Sequence, residues 1–238
     1  VNRYLQLIRL PNVLTAAADS WAGFFIVASV AASRGYVASP SWTALLCVVP
    51  ASCLFYAAGI IFNDITDFEH DKIHRPERPL PSGRIPINFA FGIASVMIAV
   101  AILLVMLAGL ERLVIGFTLL ATITTYNSLS KISKTISIFP MGLCRALNVS
   151  LGMGAAMFRD PILLISPCVM FLITVGISLA SLSEEKNPGA KKLVRFGVLS
   201  LPAINGIILI TFGAWLPSLF CFAISIVAAA LSKRTQVA

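Results

Sequence analysis

Between Asn63 and Arg84 the chain reads NDITDFEHDKIHRPERPLPSGR, a polar run set between long apolar stretches. Asn63, Asp67 and Asp71 recur every four residues, so a helix carried through them turns all three to one face, with about 40° of drift per step. With Asp64 close by, they make a set of hard oxygen donors suited to Mg²⁺, which takes a few carboxylates and completes its shell with substrate phosphates. Fixed cations follow at Lys72, Arg75, Arg78 and Arg84, and arginine suits bidentate contact with phosphate. Pro76, Pro79, Pro81 and Gly83 then break the helix and fold these cations back. The chemistry this supports is a magnesium–diphosphate site. Positive-inside bias in a solvated loop would explain the Lys and Arg residues but not the Asn/Asp ladder. His70 and His74 stand at i and i+4 with no third ligand spaced to join them, and read as loop histidines.

The elements that must position this run are membrane helices. The 238 residues are 58% hydrophobic and 12% charged, with a mean hydropathy of +0.92. A soluble domain carries about twice that charged fraction. Apolar segments of spanning length lie at about 13–33, 43–62, 87–108, 113–130, 138–158, 162–180, 196–212 and 216–231. The fold class expected is all-α, a polytopic bundle of about eight helices forming a single integral-membrane domain over 1–238. Polar loops after the second and sixth segments suggest two four-helix repeats, 13–130 and 138–231.

The net charge of +8 sits in the loops. Its expected partners are therefore anionic lipid heads and anionic substrates rather than nucleic acid. With the N-terminus inside, fourteen of the eighteen Lys and Arg residues fall on the cytoplasmic side and three outside, with Arg145 left within a helix. The polar run then faces the cytoplasm. The five cysteines lie in apolar segments with no CxxC pair, which argues against disulfides and structural zinc. The opening VNRYLQLIRLPN is no cleavable signal; it reads as an amphipathic lead-in with Arg3 and Arg9 toward the headgroups.

Polar groups at membrane depth are costly and default to functional or paired roles. Asp19, among small residues, could orient a polar acceptor or pair with Arg145. Arg145 and Asn148 share a face of MGLCRALNVSLGMG, either at a site or in a buried ion pair. Tyr126, Asn127 and Lys131 end the fourth segment, where a phenol and an ammonium could hold phosphate oxygens; an interfacial belt is the plainer reading. Asn205 is uninformative alone.

The motif Asn63-Asp64-x-x-Asp67-x-x-x-Asp71, followed by Arg75-x-x-Arg78-Pro79-x-x-Ser82-Gly83, resembles the first aspartate-rich motif of the UbiA superfamily of intramembrane prenyltransferases. RLPNVLTAAADSWAG, RPERPLPSGR and MGLCRALNVSLGMG are similar to the UbiA-like proteins of bacterial Ebo clusters. The resemblance implies a helical bundle around a lipid-open cavity in a bacterial plasma membrane, with its site loops cytoplasmic. It implies transfer of an isoprenoid chain from a prenyl diphosphate to a small aromatic or lipid acceptor with Mg²⁺. The metal ligands implied are Asn63, Asp64, Asp67, Asp71 and Glu184. Arg75, Arg78, Tyr126, Lys131 and Lys186 would bind diphosphate, and Asp67, Asp71 and Arg145 would be catalytic. Two departures stand out. The loop after the sixth segment, SLSEEKNPGAKK, has adjacent Glu184 and Glu185 where the family offers spaced aspartates. The chain also stops after eight helices where the family has nine, as a fragment would. The altered loop motivates a second reading, a non-catalytic isoprenoid or metabolite carrier. A phosphatidyl-type transferase needs a DG-x-x-AR motif, which the sequence lacks.

Overall fold

A computed structural model describes residues 3–35, 41–183 and 187–235. A short helix α1 (Arg3–Leu7) leads into α2 (Leu10–Ser33), and α3 (Trp42–Thr66) runs into a second short helix, α4 (Phe68–His74). Then come α5 (Ile87–Ala108), α6 (Leu110–Ile132), α7 (Ile138–Met153), α8 (Ile165–Ser181), α9 (Pro188–Thr211) and α10 (Trp215–Thr235). Two 3₁₀ turns, Gly154–Phe158 and Pro161–Leu164, join α7 to α8. Among the described residues there is no strand, and eight helices are long and apolar enough to cross a membrane.

Local chemistry sets the helix ends. Ser41 caps α3 by accepting from the Ala44 N–H at 3.2 Å. Asn187 caps α9 by accepting from the Gly189 N–H at 2.8 Å, with Pro188 in the first turn, where its missing N–H costs nothing. The basic half of the second polar loop is therefore helical. The expected start of the seventh span near 196 moves back to Pro188.

Each long helix packs on the next around a ring, α2–α3–α5–α6–α7–α8–α9–α10, with α10 returning to α2. Helix α2 also crosses α7 and touches α9, so its most apolar stretch is 67% buried against 22% for that of α5. The crossing is close because glycines meet backbone there. A Cβ on Gly23 would lie 2.0 Å from the Val149 carbonyl oxygen, and one on Gly152 would lie 2.0 Å from that of Ser20.

At that crossing Asp19 and Arg145 form a buried ion pair. Arg145 Nη1 donates to Asp19 Oδ2 at 2.7 Å, and Nη2 donates to Thr15 Oγ1 at 2.7 Å and to the Tyr56 hydroxyl at 3.2 Å. Asn205, uninformative in the sequence, donates to Asp19 Oδ1 at 2.8 Å, and Asn148 donates to Oδ2 at 3.2 Å. Ser52 joins by donating to Asn148 Oδ1 at 2.7 Å. Four helices, α2, α3, α7 and α9, are thereby tied by hydrogen bonds at membrane depth, where an unmet polar group costs most.

Candidate active site

Helix α3 delivers the Asn/Asp ladder, and the helical turn continues almost unbroken through it. Asp67 N–H donates to the Asn63 carbonyl at 2.9 Å and Asp71 N–H to the Asp67 carbonyl at 2.8 Å. Asp67 itself is the joint of α3 and α4, with φ −90° and ψ 5°. The side chains do not act as one set. Asn63 Nδ2 donates to Asp67 Oδ2 at 2.9 Å, and both residues line a chamber of about 590 Å³. Asp64 and Asp71 are buried and line neither this chamber nor the one adjoining it; they are held by arginines. Arg9 donates to Asp64 Oδ1, while Arg78 Nη1 lies 2.5 Å from Asp71 Oδ2 and 3.6 Å from Asp64 Oδ1. Of the three residues expected on one face, Asn63 and Asp67 line the chamber, while Asp71 pairs with Arg78 next to Asp64. Two oxygen-bearing side chains face the cavity, and two sit beside it in a clasp.

Most of the other residues lining the outer chamber are polar or basic, with Ile138 and Met141 among them as apolar members. Tyr126, Ser130 and Lys131 come from α6, Lys134 and Ser137 from the α6–α7 turn, and Ser178 and Ser181 from α8. His70 borders it and stacks on His74 with ring centroids 4.1 Å apart. Asn63, Tyr126, Met141, Ser178 and Ser181 also line a second chamber of about 410 Å³, so the two share a wall of side chains. This inner chamber follows one stripe of α3, from Asn63 through Ile60, Gly59, Tyr56 and Phe55 to Ser52. Its apolar walls are Leu119, Ile123, Ile177, Val194, Val198 and Leu201. Arg145 and Asn148 lie on its α7 side, the Arg145 guanidinium 4.8 Å from the Tyr56 ring centre.

Of the diphosphate-binding candidates, Tyr126 and Lys131 line the outer chamber, and Arg78 sits behind it on the carboxylates. Arg75 is exposed and lines neither chamber. Glu184 and Lys186 lie outside the described residues. Sequence reading missed Arg9, Lys134, Tyr56, Ser178 and Ser181. Ser178 and Ser181 carried a signal, two hydroxyls at i and i+3 where the apolar span meets the second polar loop. Arg9, expected among lipid headgroups, turns inward to Asp64 and the inner chamber.

Among the described residues no three His, Cys, Asp or Glu side chains converge as a metal site. Asn63 and Asp67 nevertheless fit Mg²⁺ as oxygen donors at a phosphate-sized polar chamber, the sparse protein contribution that ion accepts when phosphates and water supply the remainder.

The fold and site define a multi-pass helical membrane protein whose polar vestibule opens beside an apolar chamber. The sequence profile of the UbiA prenyltransferase family matches residues 22–236, and the chain belongs to that family. It is 34% identical over 154 residues to digeranylgeranylglyceryl phosphate synthase of Sulfolobus acidocaldarius, covering 64% of this chain and 52% of that protein. The synthase of Methanocaldococcus jannaschii is 27% identical over 203 residues, 85% of this chain and 67% of that one. The chain spans about half the length of the first of these relatives. Among solved structures, a digeranylgeranylglyceryl phosphate synthase superposes with a TM-score of 0.64 at 21% identity, covering 98% of this chain and 92% of that one. A UbiA homologue from Archaeoglobus fulgidus bound to GPP and Mg²⁺ gives a TM-score of 0.63 at 14% identity, covering 97% and 87%.

Proposed function

We propose that this protein transfers an isoprenoid chain from a prenyl diphosphate to a small acceptor, using Mg²⁺. The carrying observation is the pair of adjoining chambers, one lined by Asp67, Tyr126, Lys131 and Lys134, the other presenting a mostly apolar surface that includes Leu119, Ile123, Ile177, Val194, Val198 and Leu201. Such a pair matches a molecule with a polyanionic head and a hydrocarbon tail. The relatives bear the name of digeranylgeranylglyceryl phosphate synthases, which favours a lipid acceptor over an aromatic one.

The residue roles follow from placement. Lys131, Lys134 and the Tyr126 phenol hold phosphate oxygens and offset the charge that grows on diphosphate as the allylic C–O bond breaks. Asn63 and Asp67 would hold Mg²⁺, with Asp64 and Asp71 behind them and Glu184 the candidate from the second loop. Bound there, the cation would supply Lewis-acid stabilisation of the leaving diphosphate. The aliphatic chamber shelters the allylic cation from water until the acceptor's electron pair attacks it. Arg145 engages Asp19, Thr15 and Tyr56, which makes it a positioning residue that fixes Tyr56 on the chamber wall. Arg75 and Lys186 are left as cations that can approach the diphosphate from the loops.

The loop cations support a vestibule that faces the cytoplasm. The Ebo-type motifs support a reading of the chain as a single domain of a bacterial plasma membrane. The test is a product. Protein in nanodiscs with geranylgeranyl diphosphate, Mg²⁺ and an isoprenoid glyceryl phosphate is expected to yield an acceptor heavier by one geranylgeranyl group in mass spectrometry. Prenyl diphosphate bound with Mg²⁺ but never consumed, across lipid and aromatic acceptors, would instead establish the carrier reading that the Asp-free second loop favours.

A further inference from the structure

Arg9 joins α1 to α2 in left-handed backbone, φ 48° and ψ 57°, the one non-glycine residue of positive φ among those described. A residue with a Cβ holds that conformation only against a steric cost, so something must fix it. The partner is Asp64, whose carboxylate is 7% exposed and takes a hydrogen bond from the Arg9 guanidinium. Arg78 continues the row, 3.6 Å from Asp64 and 2.5 Å from Asp71, whose side chain is 4% exposed. Arg9, Asp64, Arg78 and Asp71 thus alternate in sign and sum to zero. The loop that carries Arg78 is fastened to the N-terminal helix by Arg3, which donates to the Arg84 carbonyl at 2.9 Å. Leu7, Leu80 and Ile85 are buried together beneath it.

This neutral row sits beside the chamber where metal and diphosphate must meet. A divalent cation arriving alone finds Asp64 and Asp71 already neutralised by two guanidinium groups, with Lys131 and Lys134 lining the chamber it must enter. Like charge at that range opposes it. A diphosphate changes the balance, because it offers the arginines a stronger bidentate partner than a single carboxylate oxygen. Arg9 already borders the inner chamber, which shares Asn63 and Tyr126 with the outer one.

We propose that Arg9 is a diphosphate-binding residue and that Arg9 and Arg78 exchange partners when substrate binds, leaving Asp64 and Asp71 for phosphate oxygens and releasing both carboxylates to the cation. The inference rests on the prenyl-diphosphate reading above and adds a coupling to it. The cation and the diphosphate bind as a pair, each tightening the other by the same factor.

The test uses the full chain in nanodiscs, with Mn²⁺ as a paramagnetic probe, inorganic diphosphate as the anion, and free Mn²⁺ held fixed by equilibrium dialysis. For the wild type, diphosphate is expected to tighten Mn²⁺ binding at least tenfold, and Mn²⁺ to tighten diphosphate binding equally. In Arg9→Gln, Mn²⁺ alone is expected to bind more tightly than in the wild type, with the coupling factor falling toward one. Arg9→Lys, which keeps the charge without the fork, is expected to fall between. Should Arg9→Gln fail to fold, Arg78→Gln serves the same comparison, and the wild-type arms stand by themselves. Mn²⁺ binding that is equally tight with and without diphosphate overturns the exchange, and so does full coupling in Arg9→Gln. Diphosphate binding with no Mn²⁺ uptake overturns the exchange but leaves the prenyl-diphosphate reading standing. No binding of either probe in any arm overturns both.

Discussion

Asp19 and Arg145 show how one buried pair can be structural and still shape a site. Removing one partner from a buried pair strands the other charge, at a cost of about 3–5 kcal/mol. Arg145→Met is therefore expected to lower the thermal unfolding midpoint in detergent sharply. The double variant Asp19→Asn with Arg145→Met is expected to regain part of the loss. Unchanged melting of the single variant would mean that the pair does not hold α2 to α7. Lys131 faces the vestibule, so Lys131→Met should weaken diphosphate binding by about tenfold, roughly 1.4 kcal/mol, with little change in melting. Much of this was open to sequence reading, since an Asp, an Arg and an Asn in apolar spans announce themselves. The clasp on Asp64 and Asp71 was not. Side-chain spacing gives the face a carboxylate points to but not the distant residue that meets it, and Arg9 lies 55 residues from Asp64 in the chain.

Among the helices, the α2–α7 crossing is the joint on which the inner chamber depends. Gly152→Ala puts a methyl group 2.0 Å from backbone oxygen that cannot move alone, so the helices must part. A loss of about 1–3 kcal/mol is expected, as for overpacked cores. Gly92 and Gly176 have open space around the added Cβ, and alanine there should be neutral or stabilising by up to about 1 kcal/mol through helix propensity. Equal melting temperatures for Gly152→Ala and Gly92→Ala would contradict the close crossing. Span positions were legible because continuous apolar runs of this length have few other solutions. The first turns of α9 were not, because Lys191, Lys192 and Arg195 look like loop residues. The start signal that the structure uses, Asn187-Pro188, went unread.

For the whole molecule, the ring of eight long helices among the described residues sets a polar vestibule beside an apolar chamber, and the cytoplasmic orientation proposed for it rests on loop charge. In a cysteine-free background, a cysteine placed at Thr135 is expected to react with an impermeant maleimide only from the cytoplasmic side. One placed at Glu111 should react only from the opposite side, and the reverse pattern would invert the orientation. The account stands most directly on Asp67, the carboxylate that borders the vestibule and bonds Asn63. The deciding measurement is diphosphate release by purified protein supplied with prenyl diphosphate and a lipid extract, with and without Mg²⁺, for the wild type and Asp67→Ala. The expected result is release that requires Mg²⁺ and falls at least a hundredfold in the variant, about 2.7 kcal/mol of transition-state stabilisation. Release that is indifferent to the metal, or that survives in Asp67→Ala, would contradict the assignment of this vestibule as the site of diphosphate departure.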